Sequence, residues 1–331
     1  MKKDIELAGL GNALIDALVQ IDDTELLEGE GLDRGTMHLV DHKRWDTLYQ
    51  RLPAEQMVIR SGGSCANAVE TFAQLGGTAA FCGQVGDDPM GALYKEKLQA
   101  RLGGHHLHFI GGRHTGKCLS LVSRKDAERT MLTDLGCAAE LESKNLFVEQ
   151  IEGASFFHLT GYLFAGGAIG DTARRAIEVA RAAGTRISFD LADPFVVDNC
   201  RPVVLEVARD YAELVFLNEE EAKRLAGSDD PLDAFRLLDR PGHIVIIKLG
   251  KRGSLVRAEG KLFPIEPVLV DAVDTTGAGD AYAGAFLYGA RRGMDWGRCG
   301  RLASRVAAKV VSQLGAVVED ERELQDILRL I

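Results

Sequence analysis

Residues 273–289 read VDTTGAGDAYAGAFLYG: three small residues, Gly277-Ala278-Gly279, run directly into Asp280 and then into an apolar, alanine-rich segment of helical character. A packing explanation exists, since small residues permit a tight turn and Asp is a common N-cap. A chemical explanation says more. If the chain is helical from Ala281 onward, the backbone N–H groups of Gly277, Ala278, Gly279 and Asp280 lie at the positive end of that helix with nothing bulky in front of them, and so form an anion hole. A carboxylate beside such a hole repels a resting phosphate but suits a hydroxyl that must lose its proton as it attacks phosphorus. Asp280 then reads as a general base, and residues 277–279 as the cradle for charge on a transferred phosphoryl group.

Two other glycine-rich stretches compete for a nucleotide and fail. Gly9 and Gly11 follow a strand-like IELA, but position 14 is leucine where a third glycine is needed, and β-like alternation follows in place of a helix. Residues 111–118, GGRHTGKC, nearly spell a P-loop, but cysteine stands where magnesium needs a hydroxyl and the next residues are strand-like. A turn into a hairpin is expected there.

The elements that must position Asp280 are read from hydrophobic periodicity. Short apolar runs (IELAGLG, TAAFCGQVG, ASFFHLTG, RISFDLA, ELVFLN, HIVIIKLG) alternate with longer helical patterns such as CANAVETFAQLGG, MGALYKEKLQARLGG, DTARRAIEVARAAG and WGRCGRLASRVAAKVVSQLG. That rhythm predicts an α/β fold, a mainly parallel sheet covered by helices on both faces. Residues 12–41 and 117–136 break it. They read as alternating strands and turns, the second as a hairpin, SLVSR-KDAE-RTMLT, so a small β appendage inserted twice is expected, leaving 1–11, 42–116 and 137–331 to the large domain.

Bulk properties restrict the partners. The 331 residues are 46% hydrophobic and carry 39 Lys+Arg against 49 Asp+Glu, a net charge of -10. No general attraction to nucleic acid or an anionic membrane is expected, so an anionic ligand must be held by local geometry. Cys65, Cys82, Cys118, Cys137, Cys200 and Cys299 are scattered without a C-x-x-C pair, and His114, before Cys118, lacks further ligands for zinc. The apolar N-terminal run is interrupted by Asn12 and Asp16, and no stretch approaches 18 uninterrupted apolar residues. A cytoplasmic protein with reduced thiols is expected, without a signal peptide or membrane span.

Residues 274–280, DTTGAGD, resemble the D-T-x-G-A-G-D signature of the ribokinase-like, or PfkB, small-molecule kinases. Four further stretches resemble that family in family order: SGGSCAN at 61–67 (G-G-x-x-x-N), GQVGDDPMG at 83–91 (G-x-V-G-x-D-x-x-G), NEEE at 218–221 (N-x-x-E) and LGKRG at 249–253 (L-G-x-x-G). The resemblance implies a ribokinase-like fold with the β appendage as a lid, ATP and Mg2+ as cofactors, and potassium as a further candidate at backbone oxygens of Asp274 and Thr276. It implies that Asp16, Gly62, Gly63 and Asn67 bind the hydroxylated substrate, an ionised carboxylate accepting from two donors at once. Asn218 and Glu221 would organise magnesium through water, and Gly250 and Gly253 would wall the nucleotide. Lys248 departs from the Thr or Ser expected before L-G-x-x-G, and either supplies charge or points away. The adenine site is expected between the segment after Gly253 and residues 307–315.

GNALIDALVQ, DAERTM at 126–131 and DPF at 193–195 look most like the adenosine-kinase-like branch. Arg129 would then reach the γ-phosphate on lid closure, and the implied reaction is phosphoryl transfer from ATP to the 5′-hydroxyl of a ribonucleoside, adenosine first. Leu14, Met37, Leu39, Leu119 and Met131 are candidates for an apolar pocket wall. The alternatives are a sugar kinase of ribokinase or fructokinase type and a nucleoside- or sugar-binding regulator without catalysis, against which the intact Asp280 speaks. A monomer and a homodimer are both open.

Overall fold

The short apolar runs become strands because each buries both faces. The computed structural model describes residues 4–22, 25–102 and 106–331; Lys2, Lys3 and the glycines 103 and 104 that close one expected helix lie outside them. Among the described residues the strands are β1 (Ile5–Leu10), β2 (Leu14–Ile21), β3 (Met37–Leu39), β4 (Val58–Gly62), β5 (Ala79–Gly86), β6 (His106–Ile110), β7 (Gly116–Ser123), β8 (Arg129–Asp134), β9 (Ala154–Thr160), β10 (Arg186–Asp190), β11 (Leu214–Asn218), β12 (Ile244–Lys248), β13 (Ser254–Ala258) and β14 (Lys261–Ile265). The large sheet has the order β14-β13-β12-β11-β10-β9-β1-β5-β6. Its pairs from β12 to β6 are parallel, and only the β12–β13 and β13–β14 pairs are antiparallel.

Side-chain alternation divides the core into two layers. Phe156, Leu214, Phe216, Ile244 and Ile246 pack with the helices Ser64–Gln74, Ala278–Arg291 and Trp296–Val311. Their neighbours Phe157, Val215, Leu217, Val245 and Ile247 pack with Ile169–Ala182, Pro194–Glu206 and Glu219–Ala226. The expected ribokinase-like α/β architecture is the observed one. No helix among the described residues is long and apolar enough to cross a membrane.

The small sheet, β3-β8-β7-β2-β4, contains the expected β7–β8 hairpin and has its own apolar cluster, including Val19, Trp45, Leu48, Leu119 and Leu132. Its extent differs from the expectation. The appendage does not stop at residue 41, because β4 pairs antiparallel with β2 and the helix His42–Tyr49 contributes Trp45 and Leu48 to its core. Residues 42–62 therefore go with the small sheet. Partner choice in a sheet is a long-range property, invisible in the local pattern that assigned them elsewhere. A short helix, Glu25–Gly29, also interrupts the expected strands and turns of 12–41.

Both rejected glycine stretches have structural employment. A Cβ on Gly9 would lie 2.8 Å from Cys65 Sγ, and one on Gly11 2.7 Å from Cys65 Cβ, so these glycines let the helix Ser64–Gln74 approach β1. Lys117 of the near P-loop is buried in the lid, its Nζ 2.6 Å from Asp46 Oδ1 and 4.1 Å from the Trp45 ring centre.

Candidate active site

The helix Ala278–Arg291 begins three residues before the expected Ala281, with Gly277 as its N-cap at φ 72°. A side chain at Gly277 would be strained in that conformation and would also lie 2.3 Å from Ala316 Cβ. The turn is pinned by the fully buried Asp274. Its Oδ1 accepts from Thr276 N at 2.8 Å and its Oδ2 from Gly315 N at 2.9 Å. Among the described residues the N–H groups of Gly279 and Asp280 donate to nothing, which leaves them for an anion.

Asp280 faces the N-terminus of a second helix, Ser64–Gln74. Ser64 Oγ donates to Asp280 Oδ1 at 2.6 Å and Asn67 Nδ2 to Oδ2 at 2.9 Å. Burial pushes the Asp280 carboxyl up; those two hydrogen bonds and Lys248 oppose the rise, and Asp190 adds to it. Gly63 caps this helix at φ 100°, and its missing Cβ would lie 2.1 Å from the Asn12 carbonyl oxygen. Gly62 gives up its side chain to Asp16, whose Oδ2 lies 2.1 Å from where a Cβ would be. The Asp16 carboxyl is pushed up to about 7 by burial, then by the charges of Asp280 and Asp274, with Arg129 pulling the other way.

Lys248 points inward. Its Nζ is 2.7 Å from Asp190 Oδ2, and a Cβ on Gly279 would lie 3.0 Å from it, so its charge stands beside the start of the helix Ala278–Arg291. Burial lowers its affinity for a proton, but Asp190 and Glu221 more than offset that and hold the ammonium above its ordinary range. Lys248→Met is expected to destabilise the fold by about 3–5 kcal/mol, because it strands the buried Asp190 charge. Asp190→Asn in the same chain should restore most of that loss, a comparison thermal unfolding would make directly.

Asn218 and Glu221 form a capping box at the start of the helix Glu219–Ala226: Asn218 N and Nδ2 donate to the Glu221 carboxylate, and Glu221 N to Asn218 Oδ1. Burial, opposed by Lys248 and assisted by Asp190, pushes Glu221 up to about 8. Gly250 and Gly253 adopt φ 58° and 84°, and a Cβ on Gly253 would lie 2.0 Å from the Ile265 carbonyl oxygen. The 83–91 stretch fastens the lid's base, Asp88 accepting from Gly91 N at 2.7 Å and Thr115 N at 2.8 Å.

Two cavities meet at the 277–280 turn. The first encloses about 860 Å³, partly open to solvent; Asp16, Gly63, Asn67, Arg129, Gly277 and Asp280 line it, under a wall of Leu14, Met37, Leu39 and Met131. Leu119 is not part of that wall; it is buried in the lid cluster. The second, about 1290 Å³, lies between Lys248, Gly250 and Gly253 on one side and Ala307, Ala308 and Val311 on the other, with Ala278 and Gly279 at its inner end. That is where the adenine site was expected. Asn218 lines a groove joining the two regions, with Arg129, Asp193 and Lys248. Arg129 donates from one terminal nitrogen to the Thr275 carbonyl at 2.9 Å, so the β7–β8 hairpin touches the turn before the helix Ala278–Arg291.

Sequence reasoning missed Asp190 and Ser64 as site residues. Asp190 had a signal, an acidic residue at the carboxyl end of a parallel strand, where ligands of open α/β sheets collect. Ser64 had none beyond its place inside the SGGSCAN stretch. Asn12 was also missed; its side-chain oxygen is buried without a partner at the first cavity.

Proteins similar to this chain include kinases. The family described as pfkB family carbohydrate kinase matches residues 39–322. The adenosine kinase from Sinorhizobium meliloti superposes with a TM-score of 0.92 at 31% identity, over 98% of this chain and 99% of that one. A probable sugar kinase from Rhizobium etli CFN 42 gives 0.91 at 28% identity over all of both chains. Probable fructokinase-4 from Arabidopsis thaliana is 30% identical over 81% of this chain and 78% of its own. The chain belongs to the pfkB family of carbohydrate kinases, phosphotransferases that act on an alcohol group.

Proposed function

We propose that this kinase transfers the γ-phosphoryl group of ATP to the 5′-hydroxymethyl group of a ribonucleoside, adenosine first. The carrying observation is the placement of the 277–280 turn between two cavities, with Asp280 facing one and Gly279 the other. A hydroxyl on Asp280 in the first cavity and a terminal phosphate from the second would converge on one helix N-terminus, the arrangement in-line transfer needs. ATP fits the second cavity: it is largely apolar, with Lys248 and free backbone N–H groups at its inner end. Magnesium fits the groove through water, because Asn218 and Glu221 already bond each other and leave little for direct ligation. When bound, it would neutralise charge on the phosphates. Potassium at backbone oxygens of Asp274 and Thr276 is part of the same proposal.

This chain's residues would act as follows. Asp16, in its ionised form, accepts from two hydroxyls of the acceptor, and Asn67 adds a donor and an acceptor. Asp280 takes the attacking hydroxyl's proton. The N–H groups at the helix start and Lys248 receive the charge that develops. Arg129 and the lid exclude water that would otherwise accept the phosphoryl group.

A nucleoside is preferred because the wall of Leu14, Met37, Leu39 and Met131 offers apolar surface to a base that a free sugar would leave uncovered. The second reading, a fructokinase-type sugar kinase, draws on the likeness to probable fructokinase-4 and keeps the same mechanism. A non-catalytic regulator is the third, and Asp280 held by Ser64 and Asn67 at the cavity junction argues against it. ADP release with adenosine, inosine, guanosine, ribose and fructose offered separately tests all three. Turnover with a nucleoside alone supports the first, turnover with a sugar alone the second, and binding without turnover the third.

A pH profile tests the role of Asp16. Its carboxyl is pushed up to about 7, so it is ionised above that pH and loses acceptor capacity below it. The acceptor's kcat/KM, which reports the free enzyme, should therefore fall as pH drops through about 7. An acid limb near the ordinary Asp range would remove Asp16 from substrate recognition.

A further inference from the structure

Where the lid joins the large domain, the fold gathers three metal-ligating side chains that lie far apart in sequence. His42 opens the helix His42–Tyr49, His114 precedes β7, and Asp134 ends β8. His42 Nδ1 is 3.2 Å from Asp134 Oδ2, His114 Nε2 is 3.0 Å from the same oxygen, and one ligand atom from each residue lies within 4.8 Å of the others. The two imidazole ring centres stand 4.3 Å apart, their planes tilted by 37°. The zinc ligands that His114 lacks in sequence are thus supplied by the fold. We propose that His42, His114 and Asp134 form a binding site for a zinc-class divalent ion at the hinge of the lid.

Bonds of about 2.0–2.2 Å at tetrahedral angles place neighbouring ligand atoms about 3.3–3.6 Å apart, a few tenths of an ångström beyond the two imidazole–carboxylate distances, so small side-chain shifts would admit an ion. The surroundings orient the ligands. Asp46 Oδ2 lies 3.2 Å from His42 Nε2, so the ring proton belongs there and the Nδ1 lone pair turns to the cluster. Lys117 holds the other Asp46 oxygen at 2.6 Å. Gly136 N donates to Asp134 Oδ1 at 3.0 Å, which fixes the carboxylate, and Oδ2 is the oxygen that both imidazoles approach. Asp134 is buried, whereas the side chains of His42 and His114 are 49% and 38% exposed, giving an ion a way in and a water the fourth position. Two imidazoles and one carboxylate suit zinc, or cobalt as its stand-in, and not magnesium, which favours an all-oxygen shell.

A bound ion would tie the lid's helix to both strands that carry the lid, since Cys137 N already donates to the His114 carbonyl across the same junction. The site shares no side chain with the proposed catalytic groups, so it stands or falls apart from the nucleoside reading.

The test is titration of the chelator-treated full chain with Co2+, followed by its visible ligand-field absorption, and with Zn2+ by calorimetry in excess Mg2+. One saturable equivalent is expected, with a rise in melting temperature on Zn2+ addition. The His42→Ala/His114→Ala double variant should lose both the equivalent and the rise while keeping kinase turnover, which shows that it folds. Asp46→Asn, which removes no direct ligand, should weaken binding about 10–100-fold. No saturable equivalent, or one that survives in the double variant, overturns the site.

Discussion

Asp280→Asn is expected to lower kcat by about a thousandfold, within the range that a positioned general base contributes. The substitution preserves shape and removes only the capacity to take a proton. The wild-type carboxylate is well suited to that step: burial raises its basicity, and Ser64 and Asn67 fix its two oxygens at 2.6 and 2.9 Å. ATP affinity should stay the same or rise, because the second cavity is lined without Asp280 and a negative charge near its phosphate end is removed. Single-turnover phosphoryl transfer and ATP calorimetry on the same variant separate the two effects. Near-normal transfer would remove Asp280 as the base; lost ATP binding would show that its role is structural.

Asp16→Ala should reduce kcat/KM for the acceptor by about 100-fold or more while leaving KM for ATP nearly unchanged. Two hydrogen bonds to an ionised group, each contributing about 1.5–3 kcal/mol, set that scale. A fold defect is not expected. The buried carboxylate sits among like charges from Asp280 and Asp274, so its removal should leave the ligand-free protein as stable or more so above about pH 7. Steady-state kinetics with each substrate varied in turn, beside thermal unfolding, decides the matter. Equal losses for both substrates would make Asp16 structural.

The two predictions rest on residues from opposite ends of the chain, and the way each was found differs. The placement of Asp280 at a helix start was legible because the pattern is local: small residues, a carboxylate and an apolar helical run lie within a few positions of one another. The parallel sheet was legible for a similar reason, since strands buried on both faces and separated by amphipathic helices leave a regular trace. Gly62 and Gly63 stood out as glycines, but their reasons, the Asp16 carboxylate and the Asn12 carbonyl, appear only in three dimensions.

The sequence by itself determined the α/β alternation and the small-residue turn that runs into Asp280 and a helix, because each follows from neighbours in the chain. Tertiary structure alone decided that β4 joins the small sheet, that Lys248 turns inward onto Asp190, and that Ser64 and Asn67 grip Asp280. It also decided that His42, His114 and Asp134 converge. Each of these is a contact between segments far apart in sequence. Strand partners, buried ion pairs and ligand clusters are selected by packing of the whole molecule, and no local pattern of residue types encodes them.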